Sequence, residues 1–155
     1  LDIGSSTGGF TQVLLENEVS KVTCVDVGSN QLHERIKYHP KITFFENTDI
    51  RNFQSKEIFE IVTCDVSFIS ILNILNDINR LAPKDIIILF KPQFEVGTNV
   101  KRDKKGVVKD KNAILRARQK FVDSTLALNW NLKYSSLSKL QGKDGNEEEL
   151  FYFSK

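Results

Sequence analysis

The stretch Leu1-Asp2-Ile3-Gly4-Ser5-Ser6-Thr7-Gly8-Gly9-Phe10 constrains this chain more than any other. An apolar stub meets an acid, then a glycine-rich turn, then the amphipathic run Phe10 to Leu15. That order reads as a strand, a tight loop and the start of a helix. Glycines at 4, 8 and 9 open backbone angles closed to other residues and leave no Cβ in a ligand's way. The helix start offers backbone N–H groups with no partner inside the helix. A nucleotide-like ligand is expected over this loop. It is not a P-loop, because no Gly-Lys-Ser/Thr closes it. Nor is it G-x-G-x-x-G, because Ser6 stands where the second glycine belongs.

The rest of the chain alternates strand and helix signals. Lys21 to Val27 reads as a second strand, and Ser29 or Asn30 as the cap of a helix running to about Tyr38, stopped by Pro40. Ile42 to Phe45 is a third strand, followed by the polar turn 46–49 and a short helical turn over Ile50 to Phe53. Ile58 to Cys64 is a fourth. Apolar residues at 68, 71, 72, 75, 78 and 81 predict a helix from Phe68 to Leu81, closed by Pro83. Asp85 to Phe90, apolar after its first residue, reads as a fifth strand buried on both faces. A polar loop from Gly97 to Asp110 leads to a helix from Asn112 to Leu128, and strands at Leu132 to Ser138 and Leu150 to Phe153 end the chain. Such alternation predicts a mostly parallel α/β sheet. The last two strands, joined by a short turn, can pair as a hairpin and insert one antiparallel strand.

Ligands of such sheets bind at the carboxyl ends of the strands. Those ends carry Gly4, Asp26, Asp49, Asp65 and Lys91. Asp26, 22 residues after Gly4, can accept both hydroxyls of a ribose, a geometry that serves NAD and S-adenosylmethionine alike. Asp49 can meet an adenine amino group, or simply stabilise its turn. Lys91 follows five apolar residues and needs a carboxylate partner, with Asp65 or Glu148 as candidates. A lysine so placed is either a structural ion pair or a proton-handling group. The segment 101–111 holds six basic and two acidic residues. Lys101, Arg102, Lys104 and Lys105 can grip RNA phosphates there, or be a solvated loop.

Bulk numbers exclude several classes. At 155 residues the chain is one domain. A net charge of +2 demands no nucleic-acid partner by itself. No apolar run approaches the roughly 20 residues of a membrane span, and no signal peptide is visible, so a cytoplasmic protein without a membrane partner is expected. Cys24 and Cys64 sit in apolar runs and read as buried thiols. No Cys/His spacing suggests a metal site. His33 and His39 flank a helix end as surface or packing residues. The short opening strand and the lack of a starting Met lead us to expect upstream sequence.

Several segments, in order along nearly the whole chain, resemble the TlyA (haemolysin A) family of FtsJ-like ribosomal RNA ribose methyltransferases. They are Leu1 to Thr11, Val25-Asp26-Val27-Gly28 with Gln31-Leu32, Glu46 to Arg51, Asp65-Val66-Ser67-Phe68-Ile69-Ser70, Lys91-Pro92-Gln93-Phe94-Glu95, Gly106-Val107-Val108 and Gly145-Asn146-x-Glu148. The resemblance implies a Rossmann-like methyltransferase fold, a mostly parallel seven-stranded sheet with one antiparallel strand and helices on both faces. It implies S-adenosylmethionine, bound by Asp2, Gly4, Ser5, Ser6, Thr7, Gly8, Gly9, Phe10, Asp26, Val27, Asp49, Ile50 and Asp65. It further implies a Lys-Asp-Lys-Glu tetrad, in which Asp65, Lys91 and Glu148 match the last three members. Glu147 and Glu149 neighbour Glu148, and one step along a strand flips the side chain, so register decides between them. The first lysine and an N-terminal RNA-binding domain lie upstream in the family. Asp49 stands where the family has Asn.

The function expected is methyl transfer to a ribose 2′-hydroxyl of ribosomal RNA. Lys91, oriented by Asp65 and Glu148, would position the hydroxyl and accept or offset its proton, with no metal needed. The competing readings are a cofactor- or RNA-binding module without activity, an NAD oxidoreductase, an amino-group methyltransferase and a membrane-lytic protein. The broken G-x-G-x-x-G argues against the oxidoreductase. The lack of a proline pair between Asp65 and Phe68 argues against amino-group transfer. The amphipathic helices are those that cover a sheet rather than those that lie on a membrane.

Overall fold

The computed structural model describes residues 1–82, 84–140, 142 and 144–155. The expected helix stop at Pro83 lies outside them, as do two positions of the turn expected at 139–146. Seven strands form one sheet: β1 (Asp2–Ile3), β2 (Val22–Val25), β3 (Ile42–Phe45), β4 (Ile61–Cys64), β5 (Asp85–Phe90), β6 (Asn131–Leu137) and β7 (Glu149–Ser154). Their spatial order is β3-β2-β1-β4-β5-β7-β6. The first five neighbours run parallel, and β7 enters antiparallel between β5 and β6. The expected antiparallel hairpin is present. The chain order reverses beside β1, the switch point where this architecture opens a crevice.

The helices are α1 (Gly9–Glu16), α2 (Glu34–Lys37), α3 (Leu75–Leu81), α4 (Pro92–Glu95) and α5 (Lys111–Ala127). The larger core cluster joins β4 and β5 to α3 and α5. Its densest part is aromatic: Phe121 of α5 meets Phe90, Phe151 and Phe153 at ring separations of 5.4, 5.1 and 5.8 Å. Trp130 packs edge-to-face with Phe153 and donates its indole N–H to Asn79 Oδ1 at 2.9 Å. Each such ring contributes roughly 1.5–3 kcal/mol through burial. A smaller cluster, Leu14 with Val22 and Cys24, fastens α1 to the sheet. Cys24 and Cys64 are both buried free thiols.

Four elements differ from the sequence expectation, each for a local reason. Residues 68–81 do not form one helix. Phe68 is 92% exposed at φ +67, a left-handed conformation that no helix admits. Helical structure begins with a 3-10 turn, Ile71–Asn73, capped by Ser70 Oγ, and resumes as α3. The helix expected from Ser29 or Asn30 is only α2, capped by His33 Nδ1. Asn30 itself has φ +54, outside the extended conformation that the capping His33 takes, and donates its N–H to Glu46 Oε1. In β5, Ile86, Ile88 and Phe90 are fully buried, but Ile87 and Leu89 only half, so one face alone is closed. Strand β4 starts at Ile61, because Ile58 is 81% exposed.

Candidate active site

Gly4 ends β1 and donates its N–H to Val25 O of β2. It has φ +74, and a Cβ there would overlap the Asp65 carbonyl at the end of β4. Only glycine lets these two strand ends approach. Ser6, the residue that broke the dinucleotide pattern, has φ +45. It thus adopts the left-handed conformation a glycine would have taken. Its amide donates to Asp26 Oδ2 at 2.7 Å, while Gly28 N donates to Asp26 Oδ1 at 2.7 Å. One carboxylate therefore shapes two turns at once.

A cavity of about 330 Å³ opens beside these turns, and Gly4, Ser6, Asp26, Val27, Asp49, Ile50 and Asp65 line it. Seven of the expected cofactor residues thus share one cleft. The others do not line it. Asp2 is buried beneath and accepts from Thr11 Oγ1 at 2.6 Å and Thr63 Oγ1 at 2.8 Å. Burial raises its carboxyl above the usual range, with those hydroxyls opposing. It pins β1 to α1 and β4 rather than facing a ligand. Ser5 is buried, and Thr7, Gly8 and Gly9 line a separate depression beside His33 and His39. Phe10 borders neither. Asp49 is held below the usual carboxylate range by the Arg51 guanidinium, whose Nη2 is 2.5 Å away. It therefore stays an acceptor.

Lys91 follows β5, next to the cleft-lining residues Asp65 and Ser67. Its ammonium lies 2.5 Å from Asp65 Oδ1, an ionic contact rather than an aligned hydrogen bond, and donates to Ser67 Oγ at 3.1 Å. The strand register separates the three glutamates. Glu149 pairs with Phe90 across the β5–β7 ladder, and Arg118 holds its carboxylate at 2.7 Å. Glu147 is exposed, whereas Glu148 is buried. The β5–β7 ladder ends at the Phe90–Glu149 pair, and Lys91 and Glu148 are the next residue on either chain. Glu148 Oε1 accepts from Gln93 Nε2 at 2.9 Å.

The basic segment is an ordered clip. Arg102 does not present its guanidinium outward: it donates to the carbonyls of Val100, Gln93 and Gly97 at 2.8, 2.9 and 3.0 Å. Asp103 Oδ1 accepts from Lys105 N and Val107 N, which holds its carboxyl below the usual range. Val107 and Val108 are buried, and Asn146 Oδ1 accepts from Val108 N. Lys101, Lys104 and Lys105 remain exposed.

Sequence reasoning missed Ser67, Phe68, Phe94 and Gln93, although all four lie within motifs it had singled out. Phe68 lines the cleft and stands 5.3 Å from Phe94, ring to ring. It had been assigned to a helix face, where its exposure could not be foreseen.

The profile of the FtsJ-like methyltransferase family matches residues 1–155. The chain belongs to this family. A 23S rRNA (cytidine-2′-O)-methyltransferase TlyA of Campylobacter jejuni is 57% identical over 100% of the chain and 61% of its own length. The chain thus spans about three fifths of that relative. A solved structure named as a hemolysin, from Lactococcus lactis, superposes with TM-score 0.93 at 32% identity, covering 99% of this chain and 76% of that one. Magnesium protoporphyrin IX methyltransferase from Synechocystis, solved with bound SAH, shares the fold alone: TM-score 0.65, 13% identity, 99% and 72% covered. The methyltransferase fold expected from the sequence, and the TlyA resemblance, are borne out. S-adenosylmethionine is the cofactor that goes with this family. Among the described residues no helix is long and apolar enough to cross a membrane.

Proposed function

We propose that this chain is the catalytic part of an enzyme that transfers a methyl group from S-adenosylmethionine to a ribose 2′-hydroxyl of ribosomal RNA. The observation that carries the reading is the ion pair of Lys91 with Asp65, which lines the cleft that Gly4 and Asp26 shape. The cleft fits the cofactor's chemistry, being concave and largely apolar with a few carboxylate acceptors. Asp26 would take the ribose hydroxyls and Asp49 the adenine amino group, with Val27 and Ile50 as apolar walls. Gly4 leaves the room that a Cβ would fill.

The bound cofactor supplies an electrophilic methyl on a positively charged sulfur. The chain's part is to place an RNA hydroxyl in line and manage its proton. Lys91, fixed by Asp65 and Ser67, orients the hydroxyl oxygen. As the new O–C bond forms and the S–C bond breaks, the hydroxyl proton leaves, and the Asp65–Lys91–Glu148 set receives it or offsets its charge. Phe68, held beside Phe94, offers an exposed ring on which a nucleobase can stack. Lys101, Lys104 and Lys105 serve RNA phosphates. Arg102 acts indirectly, by ordering the segment that carries them.

The test is transfer of labelled methyl to ribosomal subunits, by this chain and by a version extended upstream, followed by nucleoside chromatography. A 2′-O-methylated nucleoside supports the reading. A base-methylated nucleoside, or cofactor binding without transfer by either version, overturns it.

A further inference from the structure

The segment 65–71 after β4 and the segment 91–95 after β5 touch at three places. Lys91 pairs ionically with Asp65 and donates to Ser67 Oγ at 3.1 Å. The Phe94 ring meets that of Phe68 at 5.3 Å. Glu95 makes the third contact: its Oε2 accepts from Ser70 Oγ at 2.7 Å and its Oε1 from Ile71 N at 2.8 Å. Both oxygens of a half-buried carboxylate are thus committed to one short piece of chain. Among the described residues Glu95 forms no ion pair, so those two donors are what satisfy it.

The same donors decide the path of the backbone. Ile71 opens the 3-10 turn, and its N–H has no partner inside that turn. Ser70 is the cap, and its Oγ accepts in turn from Leu72 N at 3.2 Å. Glu95 therefore fixes where the helical turn begins. Phe68 lies just before it, at φ +67. A residue other than glycine keeps that conformation only where its surroundings hold it. Burial does not hold Phe68, since it is 92% exposed. The restraint comes from its neighbours: Ser67 on one side, tied to Lys91, and Ser70 with Ile71 on the other, tied to Glu95.

We propose that Glu95 is a positioning residue, the anchor that holds the segment after β4 in the conformation that presents the Phe68 ring to the nucleotide being methylated. The proposal rests on the reading in which that ring stacks a nucleobase for its effect on transfer, and on geometry alone for its hold on Phe68.

The experiment compares Glu95→Leu, which removes both acceptors, with Glu95→Gln, in wild-type and Phe68→Ala backgrounds. Phe68→Ala should lower kcat/KM for RNA about 5- to 150-fold, the worth of one stacked base. Glu95→Leu should lower it about 10-fold, and should have no further effect once Phe68 is Ala. A merely structural loss would persist in that background, so losses that multiply overturn the proposal. Glu95→Gln should stay within about threefold of wild type, because its carbonyl accepts from Ile71 N and its amide can donate to Ser70 Oγ. A Gln variant as impaired as the Leu variant also overturns the proposal. The crystal structure of Glu95→Leu is the readout independent of substrate. Phe68 should leave its left-handed conformation or part from Phe94, and a segment that stays unchanged overturns the proposal whatever the enzyme methylates. Wild-type protein that transfers nothing to RNA would sink the functional reading instead, while that structure still decides whether Glu95 holds Phe68. Ser70→Ala removes one of the two bonds. It should cost about threefold, again only while Phe68 is present, and serves if Glu95→Leu fails to fold.

Discussion

The two rims of the cleft are built in opposite ways. On the glycine side, Asp26 reaches back 20 residues to the Ser6 amide and forward two to that of Gly28, so main-chain donors on neighbouring turns do the shaping. On the lysine side the contacts of Lys91 and Gln93 join side chains from distant segments: Lys91 to Ser67 over 24 residues and Gln93 to Glu148 over 55. A rim made from backbone tolerates changes of side chain nearby, whereas a rim made from side chains loses its geometry with any one of them. The contrast teaches that binding and reaction rest on separable parts, which meet where Gly4 abuts the Asp65 carbonyl.

The largest effect should come from the lysine side. Lys91→Ala is expected to lower methyl transfer about 10²- to 10⁴-fold while calorimetric cofactor affinity stays within twofold. Equal loss of both would dissolve the distinction between the rims. Gly4→Ala strikes the junction, forcing a side chain into φ +74 and onto the Asp65 carbonyl. It should cost at least about 2 kcal/mol of stability and impair binding and transfer together, read by thermal melts and titration. Asp26→Ala should weaken the cofactor roughly 10- to 100-fold, the worth of one or two charge-assisted hydrogen bonds, with kcat at saturating cofactor little changed.

Smaller effects test the borders of the two rims. Replacing Lys104 and Lys105 by Ala should reduce the salt slope of RNA affinity by about one per lysine and leave cofactor titration untouched. Glu95 joins the lysine side to the Phe68 segment, accepting from Ser70 Oγ at 2.7 Å and Ile71 N at 2.8 Å. Burial raises its carboxyl above the ordinary 4.5, with those two bonds opposing. A raised acid gives its full stabilisation below 4.5 and loses it as pH climbs through the folded value. Glu95→Gln should therefore flatten the fall in melting temperature across that window, a change of a few degrees at most.

The glycine side was legible in the sequence because its contacts are local. The loop, the acid ending β2 and the spacing between them are all short-range patterns, and Asp26 and Ser6 lie where the spacing set them. Asp65 and Lys91 were legible as polar residues terminating apolar strands. The motif Gly145-Asn146-x-Glu148 pointed to Glu148, but that Glu148 is buried while Glu147 is exposed and Glu149 is held by Arg118 follows from the antiparallel entry of β7, a property of the sheet and not of any window of sequence. Phe68 and Asn30 misled for one reason: both take left-handed angles that an apolar period or a capping preference cannot reveal. Arg102 misled because its composition matched a phosphate ligand, while three carbonyls brought close by the fold claimed its donors.

The clip that Arg102 and Asp103 close has a kinetic consequence. A lysine-bearing segment that ordered only on meeting its partner would lose about 1–2 kcal/mol of backbone freedom per residue at that moment. Here the backbone's share of that loss is incurred once, when the chain folds, because Asp103 and Asn146 hold the amides of Lys105, Val107 and Val108, so the turn that carries Lys104 and Lys105 is set before any polyanion arrives. Capture should then be fast and governed by electrostatic steering, with little of the temperature dependence that marks coupled folding and binding.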